Sequence, residues 1–362
     1  MKKKTNTIVI TTGGTGGHIF PSISLSEFLC KNYHIEFVTD KRGLKYLGSQ
    51  NSFKINVINS SRIFSKNIFK VIISAIKIFF SLLASFMFLI KTKPRLVIGM
   101  GGYSSFTICL SAYFLKIPVI IYENNLVIGR ANKFLLPLSK KILVSTRNIE
   151  GIKNKYEQKK IVSGFLLRKE IFISKKKDLE INKKELSILI MGGSQSAKVF
   201  GESLPKIIKQ CCDNNVRFKI YQQCLDNQLE GLNEIYKSMK IEFELFTFTQ
   251  DMSKYYKKID FAITRAGASS IAELLNLNIP FITIPLPSSV DNHQLKNAMY
   301  FQNKGYCFLL EQKYIFEKLF EMLKNLNEDR NKLILLKERM KNHSDQESLS
   351  ITKELIKKVL NE

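Results

Sequence analysis

The chain has 362 residues, 45% hydrophobic and 24% charged, which excludes a disordered protein and favours two domains with separate cores. Lys and Arg number 56 against 31 Asp and Glu, and the resulting net charge of +25 points only weakly to nucleic acid or an anionic membrane. The six cysteines form no Cys-x-x-Cys pair, which predicts reduced thiols in a cytosolic protein and no zinc site.

The first predicted element is a strand over residues 7–10, and this apolar run is too short to predict a signal peptide. A glycine loop follows over residues 11–18 (Thr-Thr-Gly-Gly-Thr-Gly-Gly-His), and Pro21 suits the first turn of the next helix. Such a loop brings backbone N–H groups close to an anionic ligand. Its spacing matches neither the dinucleotide fingerprint nor the Walker pattern. His18 at the loop mouth, in a chain with only four histidines, favours a ligand site over a plain turn.

A second strand is predicted over residues 35–38, and an acid-free basic segment follows it. From Lys41 to Tyr122 there is no Asp or Glu, whereas twelve Lys or Arg residues occur. Within this segment, residues 68–90 predict an apolar helix. Its polar residues recur at steps of four and three and so share one narrow stripe: Lys66, Lys70, Ser74, Lys77, Ser81 and Ser85.

Three interpretations of this helix compete. Its length suffices for a membrane span, but Lys77 would then cost roughly 2.5–3.5 kcal/mol inside the bilayer. The segment also lies between strands of what reads as one α/β unit. A buried core helix explains part of the apolar surface. We favour a helix that packs one side on the sheet and offers the other to lipid, which predicts peripheral membrane binding.

The remaining strands of the first half alternate with glycine-rich or polar turns. They cover residues 96–98, 118–122, 141–145 and 160–163. The turn after the first of them reads Gly-Met-Gly-Gly-Tyr-Ser-Ser (99–105), and the second ends in Glu-Asn-Asn (123–125). The charged residues 175–185 predict a solvated surface insertion.

The opening pattern then recurs, with a strand over residues 186–191 and the loop Gly-Gly-Ser-Gln-Ser-Ala (192–197). Further strands are predicted over residues 218–221, 242–245, 261–264 and 281–284. The tail is helical, and a break at residues 342–345 precedes a last helix over residues 350–360. This alternation predicts two doubly wound domains that face one another across a cleft at the carboxyl ends of their strands.

Six segments together resemble one known family. They are residues 13–18 (Gly-Gly-Thr-Gly-Gly-His), 99–105, 122–125 (Tyr-Glu-Asn-Asn), 192–197, 265–273 (Arg-Ala-Gly-Ala-Ser-Ser-Ile-Ala-Glu) and 291–298 (Asp-Asn-His-Gln-Leu-Lys-Asn-Ala). In this order they are similar to the MurG family, peptidoglycan glycosyltransferases that add N-acetylglucosamine to lipid I and form lipid II. Their coincidence is far more specific than any one of them.

The resemblance implies a GT-B fold, in which two Rossmann-like α/β domains face across a cleft, with no metal and no other cofactor. We expect an acceptor-binding, membrane-associating domain over residues 1–163 and a UDP-sugar-binding domain over residues 164–340. Residues 341–362 form a C-terminal helix that we expect to pack back on the first domain. The implied substrates are UDP-N-acetylglucosamine and lipid I, an undecaprenyl-diphosphate-linked muramyl pentapeptide.

The resemblance also implies the site residues. Those of the first domain that match the family's contacts to the donor sugar and cleft are Thr15, Gly16, Gly17 and Asn125. Those expected in the second domain, at nucleotide and sugar contacts, are Arg168, Ser194, Thr249, Ala268, Ser269, Ser270, Ile271, Ala272, Glu273 and Gln294. Thr249 stands where the family reads uracil through its main chain.

The family inverts the anomeric configuration, so the acceptor C4 hydroxyl must lose a proton as it attacks. A histidine has a pKa suited to accept it, and His18 is the candidate base. His18 could instead shape the loop or bind the acceptor diphosphate. Glu123 is a second candidate base or orienter, or a strand-end cap, and His293 could bind sugar or cap the next helix.

A helix that starts at Ala268 would bind the UDP diphosphate through its first N–H groups. Glu273, about one turn further on, would accept hydrogen bonds from both ribose hydroxyls of UDP. The alternative for Glu273 is a capping box with Ser270, because Ser-x-x-Glu has that spacing.

Two other protein classes remain open. A nicotinamide-dependent oxidoreductase would share the fold, but only Asp40 offers the acidic residue expected after the second strand. A non-catalytic membrane-binding or nucleic-acid-binding protein would explain only the basic segment. The closest rival is a UDP-sugar glycosyltransferase that acts on another membrane lipid. We expect an anionic membrane surface and cell-wall synthesis proteins as partners, no nucleic acid, and a peripheral place on the cytoplasmic face of the inner membrane.

Overall fold

The structure is a computed structural model that describes residues 6–14, 16–48, 52–58, 68–173, 185–249 and 251–362, with the backbone alone for residues 68–72 and 194–197. The chain divides into two compact units. The first combines Met1–Arg168 with Asp345–Glu362, and the second is Lys169–Ser344. The boundaries expected from the sequence, after residues 163 and 340, lie a few residues earlier. Thr15 and nearly all of the predicted insertion at 175–185 lie outside the described residues.

The first unit contains a parallel sheet of seven strands in the order β3-β2-β1-β4-β5-β6-β7. The strands are β1 (Thr7–Thr11), β2 (His34–Thr39), β3 (Lys54–Val57), β4 (Leu96–Gly99), β5 (Val119–Glu123), β6 (Lys141–Val144) and β7 (Lys160–Val162). The residues of β1, β4 and β5 are all buried, as expected for central strands covered on both faces.

The helices of the first unit connect these strands. They are α1 (Gly16–Leu29), α2 (Lys41–Leu44), α3 (Ile68–Thr92), α4 (Tyr103–Phe114) and α5 (Arg130–Leu135), and a 3-10 turn covers Asn154–Lys159. Helix α14 (Ser348–Asn361), at the chain's C-terminus, belongs to this unit and lies against α1. Its Leu349, Ile356 and Val359 share a buried cluster with Ile8 and Ile10 of β1, so apolar burial holds the last helix on this sheet.

The second unit contains a parallel sheet of six strands in the order β10-β9-β8-β11-β12-β13. The strands are β8 (Leu186–Met191), β9 (Phe218–Gln223), β10 (Phe243–Phe246), β11 (Phe261–Thr264), β12 (Phe281–Thr283) and β13 (Phe308–Leu309). Between them lie α7 (Gly193–Asp213), α8 (Leu229–Ser238), α9 (Ser253–Tyr256), α10 (Ala268–Asn276) and α11 (His293–Asn303). The unit begins with α6 (Lys169–Ile173) and ends with α12 (Ile315–Glu328) and α13 (Asn331–Met340). Three 3-10 turns cover Asp226–Gln228, Val290–Asn292 and Gln312–Tyr314.

Both sheets reverse their strand order beside their first strand, between β1 and β4 and between β8 and β11. In an open parallel sheet this reversal opens a crevice at the carboxyl ends of the two strands, where ligands bind. The glycine loops after β1, β4, β8 and β11 therefore lie at the two crevices. The predicted class, two doubly wound α/β domains, is confirmed.

Candidate active site

In the first unit, the loops after β1 and β4 interlock at the strand reversal. A Cβ atom added to Gly13 would lie 1.7 Å from the Ser104 hydroxyl oxygen. One added to Gly102, whose φ is +83°, would lie 2.6 Å from the carbonyl oxygen of Gly13. The Ser104 hydroxyl donates a 3.0 Å hydrogen bond to the Thr12 carbonyl. The packing of one loop on the other therefore requires these glycines.

His18 is the third residue of α1, and its ring lies against the second of these loops. A Cβ on Gly101, whose φ is +94°, would lie 2.7 Å from the His18 Nδ1 atom. The first turn of α1 is also fixed from β5, because the Asn124 side-chain amide donates a 2.8 Å hydrogen bond to the Gly17 carbonyl. His18 is partly buried at the carboxyl end of the sheet, as the sequence predicts for the loop mouth.

Glu123, at the end of β5, organises the segment that follows it. Its Oε1 accepts hydrogen bonds of 3.1 Å from both the backbone and side-chain nitrogens of Asn125. Its Oε2 accepts from the Gly129 backbone at 2.8 Å and the Asn132 side chain at 3.0 Å. The carboxylate is only 2% exposed. These four bonds favour the strand-end structural role of Glu123, and they hold Asn125 in place.

Two further charged residues of the first unit, Arg168 and Asp40, have surroundings that differ from those expected. Arg168, expected in the second domain, is the last residue of the first unit, and its guanidinium lies 5.0 Å from the ring centroid of Phe20 in α1. Asp40 caps α2, and both its carboxylate oxygens accept hydrogen bonds from Arg42 or Gly43. These local bonds give Asp40 a structural role, which counts against the ribose-binding role that a nicotinamide enzyme would need.

In the second unit, the loop after β8 is joined to the ends of β9 and β10. The Gly193 backbone N–H donates a 3.1 Å hydrogen bond to the Gln223 side chain, which in turn donates to the Thr247 carbonyl at 3.1 Å. Thr249 lies two residues further on, where its hydroxyl accepts from the Asp251 backbone at 3.1 Å. Ser194 lies in the first turn of α7. Three neighbouring strand ends thus form one hydrogen-bonded rim.

Helix α10 begins on the other side of this crevice, with Gly267 as its N-cap. Gly267 has φ −71°, and a Cβ there would meet none of the described atoms within 4 Å, so neither backbone strain nor packing calls for glycine. Ala268, Ser269 and Ser270 form the first turn, whose N–H groups point out of the helix end. The next two predicted contacts, Ile271 and Ala272, are fully buried in the core and present no side chain to a ligand.

Glu273 follows in α10, with its side chain among buried groups and 8% exposed. Its Oε2 accepts a 2.5 Å hydrogen bond from the Tyr256 hydroxyl of α9. The capping-box alternative is not formed, because Gly267 is the N-cap and Ser270 is already the third residue of the helix. Glu273 is therefore held by a tyrosine that the sequence analysis did not identify.

Arg265, between β11 and Gly267, is a second residue that the sequence analysis did not single out. Its guanidinium is 5% exposed, lies over the Phe200 ring at 4.4 Å, and donates to the Ile284 carbonyl at 3.1 Å. Burial lowers the pKa of the Arg265 guanidinium to about 10, so it stays cationic at neutral pH. Its place in the 265–273 segment is a signal that could have found it.

The segment after β12 closes the rim of the second unit. Gln294 accepts a 2.9 Å hydrogen bond from the Leu286 backbone through its side-chain oxygen. His293 bonds the Val290 carbonyl through Nδ1 at 2.7 Å, immediately after two residues with positive φ, Asp291 and Asn292. His293 thus supports its own turn at the start of α11, which favours the capping alternative.

Helix α3 of the first unit turns its small polar side chains inward. Ser74, Ser81 and Ser85 are buried, and the Ser81 and Thr107 hydroxyls, on α3 and α4, lie 3.1 Å apart. Large apolar side chains along α3 and at the end of neighbouring α4 are exposed: Ile73, Ile76, Phe79, Phe80, Leu83, Met87, Ile90, Tyr113 and Phe114. We call this set the apolar face. The segment Ile73–Thr92 has a mean hydropathy of 2.2 and is long enough to cross a membrane, and only 17% of its apolar stretch is buried.

Among the residues that the structure describes, no group of three or more His, Cys, Asp or Glu side chains is arranged to hold a metal ion.

Comparisons with known proteins agree over nearly the whole chain. Residues 8–144 match the glycosyltransferase family 28 N-terminal domain, and residues 187–355 match the family 28 C-terminal domain. A protein of Pelagibacter ubique is 36% identical over 342 residues, which are 94% of each chain. One of Francisella tularensis is 34% identical over 379 aligned positions and the full length of both. Both are named UDP-N-acetylglucosamine--N-acetylmuramyl-(pentapeptide) pyrophosphoryl-undecaprenol N-acetylglucosamine transferase.

Solved structures also align with nearly the whole chain. The crystal structure of Acinetobacter baumannii MurG aligns with 97% of this chain and 99% of its own, with a TM-score of 0.76 and 26% identity. The UDP complex of Staphylococcus aureus MnaA aligns with a TM-score of 0.68 over 98% of this chain and 97% of its own. At 17% identity this second likeness shows the fold alone.

Proposed function

The chain belongs to the MurG family within glycosyltransferase family 28, and we propose that it moves N-acetylglucosamine from UDP-N-acetylglucosamine to lipid I, which forms lipid II for peptidoglycan synthesis. The observation that carries this proposal is the full-length likeness to enzymes named for that reaction. The crevice of the second unit suits a nucleotide diphosphate sugar. Helix α10 begins there at Gly267, which leaves its N-terminus open, and the same helix contains the buried Glu273.

The second unit binds the donor in this proposal. The first N–H groups of α10, at Ala268, Ser269 and Ser270, receive the UDP diphosphate, because the positive end of the helix dipole favours an anion there. An absent side chain at Gly267 lets the diphosphate approach this end. Glu273 accepts from the ribose hydroxyls. The cationic Arg265, buried two residues before Gly267, adds to the positive field.

The rest of the donor contacts lie on the hydrogen-bonded rim. The main chain at Thr249 reads uracil, while Ser194 and Gln294 contact the phosphate or the sugar. The fully buried Ile271 and Ala272 serve by packing α10 on its sheet, not by contact with the nucleotide. In the first unit, the residues proposed to contact substrate are Gly16, Gly17, Asn125, Arg168 and Thr15, the last of which lies outside the described residues.

The chemical step is a single displacement at the anomeric carbon. The C4 hydroxyl of the muramyl sugar attacks, the bond from the anomeric carbon to the UDP oxygen breaks, and the configuration inverts. His18 takes the hydroxyl proton in this proposal, since the interlocked loops hold its ring at the carboxyl end of the first sheet. The charge that builds on leaving UDP is stabilised by the α10 N–H groups.

The apolar face of α3 and α4 binds the membrane that contains lipid I. In α3 the serines face the protein and the large apolar side chains face outward, the reverse of a surface helix in a soluble protein. Such an outward apolar surface suits contact with acyl chains. The strands β3 and β4 that flank α3 run parallel in one sheet, so both ends of the helix belong to the same globular unit. We therefore propose peripheral attachment at the cytoplasmic face of the inner membrane, aided by the basic residues of the acid-free segment.

The direct test is UDP release from purified protein with four substrate pairs. Lipid I and diacylglycerol serve as acceptors, each with UDP-N-acetylglucosamine and with UDP-glucose. We expect rapid UDP release only with lipid I and UDP-N-acetylglucosamine. Faster release with diacylglycerol would contradict the proposal and favour a glycosyltransferase for another membrane lipid.

A further inference from the structure

The second unit contains two adjacent buried tyrosines, and each donates its hydroxyl to a different glutamate. Tyr256 donates to Glu273 in α10 at 2.5 Å. Tyr255 donates to Glu244 in β10 at 3.0 Å. Both tyrosines are 1% exposed. The two tyrosines are equally buried, but their acceptors differ. The Glu244 side chain is 41% exposed and pairs with Lys254 and Lys258, whereas Glu273 is 8% exposed and lies in the helix that the proposed function places at the donor.

The Tyr256 hydroxyl also contacts the sheet. It lies 4.0 Å from the Met191 sulfur, at the end of β8 and next to the glycine loop. Tyr256 is thus in contact with both the end of β8 and helix α10. A glutamate has three rotatable side-chain bonds, so without a fixed partner its carboxylate would sample several positions.

We propose that Tyr256 is a positioning residue that holds the Glu273 carboxylate in the orientation that binds the ribose of the nucleotide donor. The 2.5 Å bond occupies Oε2 with a donor from the protein and so fixes the carboxylate plane before the nucleotide arrives. This inference rests on the proposed function, because it assumes that Glu273 binds the ribose. Tyr256 acts through Glu273 and touches no reacting atom.

The experiment compares Tyr256→Phe with Tyr255→Phe, which is the matched control. Each variant removes one hydroxyl from a buried tyrosine that donates to a glutamate and keeps the aromatic ring, and thermal melting of both variants measures any loss of stability. For Tyr256→Phe we expect the KM for UDP-N-acetylglucosamine to rise about 3- to 10-fold, the size of one hydrogen bond, with kcat changed less than about twofold. For Tyr255→Phe we expect the KM to stay at the parent value.

A second measurement uses a UDP-N-acetylglucosamine analogue with 2′-deoxyribose. A donor without the 2′ hydroxyl gains less from a well-placed carboxylate, so Tyr256→Phe should reduce the parent enzyme's preference for the ribose donor. Tyr255→Phe should leave that preference unchanged. A purely structural role for Tyr256 would weaken both donors equally, and that result would overturn the inference.

Glu273→Gln tests whether Glu273 binds the ribose, separately from whether Tyr256 positions it. If Glu273→Gln raises the donor KM about 10- to 100-fold while Tyr256→Phe leaves it unchanged, Glu273 binds ribose without the help of Tyr256, and only this inference fails. If Glu273→Gln leaves the donor KM intact, the ribose role in the proposed function fails as well. Equal KM increases in both tyrosine variants would show general loosening of the unit and would also overturn the inference.

Discussion

The two crevices use glycine for different physical reasons. In the first unit, Cβ atoms on Gly13, Gly101 and Gly102 would collide with Ser104, His18 and the Gly13 carbonyl. In the second unit, Cβ atoms on Gly193 and Gly267 would meet none of the described atoms within 4 Å. The first set of glycines lets protein pack on protein. In the second set, Gly193 still favours glycine through its φ of +64°, whereas Gly267, with φ −71°, leaves space that the described residues do not fill.

This difference suggests a division of labour between the units. Interlocked loops in the first unit form a rigid support for one side chain, His18, whereas the open helix end in the second unit leaves its backbone accessible to a ligand. The two units also differ in their surfaces, because the first unit has the exposed apolar face of α3 and α4.

The largest effect concerns the apolar face. Replacing Phe79, Phe80 and Leu83 with serine should lower binding to anionic vesicles by roughly 10³-fold, because three large side chains no longer reach the acyl region. Sedimentation with vesicles measures the loss, and high salt should weaken binding of the parent protein. UDP binding should survive.

The matched control replaces two exposed apolar residues of the second unit, Phe316 and Leu335, with serine. This variant should bind vesicles like the parent. If the α3 variant unfolds at a much lower temperature instead, its side chains belong to a core and the membrane proposal is wrong.

The next effect concerns the residue that the interlocked loops support. His18→Ala should lower kcat by about 10² or more, the usual loss when a general base is removed, with little change in donor affinity. Steady-state kinetics at saturating lipid I measure it, and His34→Ala, which removes an exposed histidine of β2, should match the parent. An unchanged kcat would leave His18 with a structural role alone.

The contrast between the glycines predicts a stability difference. Gly102→Ala should lower the free energy of unfolding by about 2–4 kcal/mol, because it adds a steric clash to a positive φ. Gly231→Ala is the control, since Gly231 lies in α8 with none of the described atoms within 4 Å of its Cβ position. It should stabilise the protein by about 0.5–1 kcal/mol. Denaturant unfolding that gave both variants the same midpoint would contradict the interlocked loops.

The smallest effect is expected at Gly267. Gly267→Ser should change stability by less than about 0.5 kcal/mol, because the site is open and serine is a good N-cap. It should raise the donor KM about 3- to 10-fold, since the new side chain occupies the approach of the diphosphate. The KM for lipid I should not move. A normal donor KM would remove the argument that the fold leaves this space for a ligand.

Much of the fold and the membership of the MurG family could be predicted from local features of the chain. Short apolar runs separated by glycine loops indicated parallel strands, and the loops at 13–18, 99–105 and 192–197 indicated the two crevices, because such signals depend only on neighbouring residues. The stripe of Ser74, Ser81 and Ser85 was also visible as a period. The side of α3 that faces the protein could not be predicted. The spacing of polar residues shows that a helix has two different faces, but it does not show what covers each face.

Tertiary structure alone decided the partners of the charged and polar groups. Glu273 bonds Tyr256, which is 17 residues away in sequence, and Asn124 bonds the Gly17 carbonyl, 107 residues away. The collision that requires glycine at position 13 involves Ser104, which follows a different strand. The sequence by itself determined the elements, their order and the family, because hydrophobic period and turn chemistry act locally. Contacts between distant segments depend on how the helices and strands pack in three dimensions, and only the folded chain specifies them.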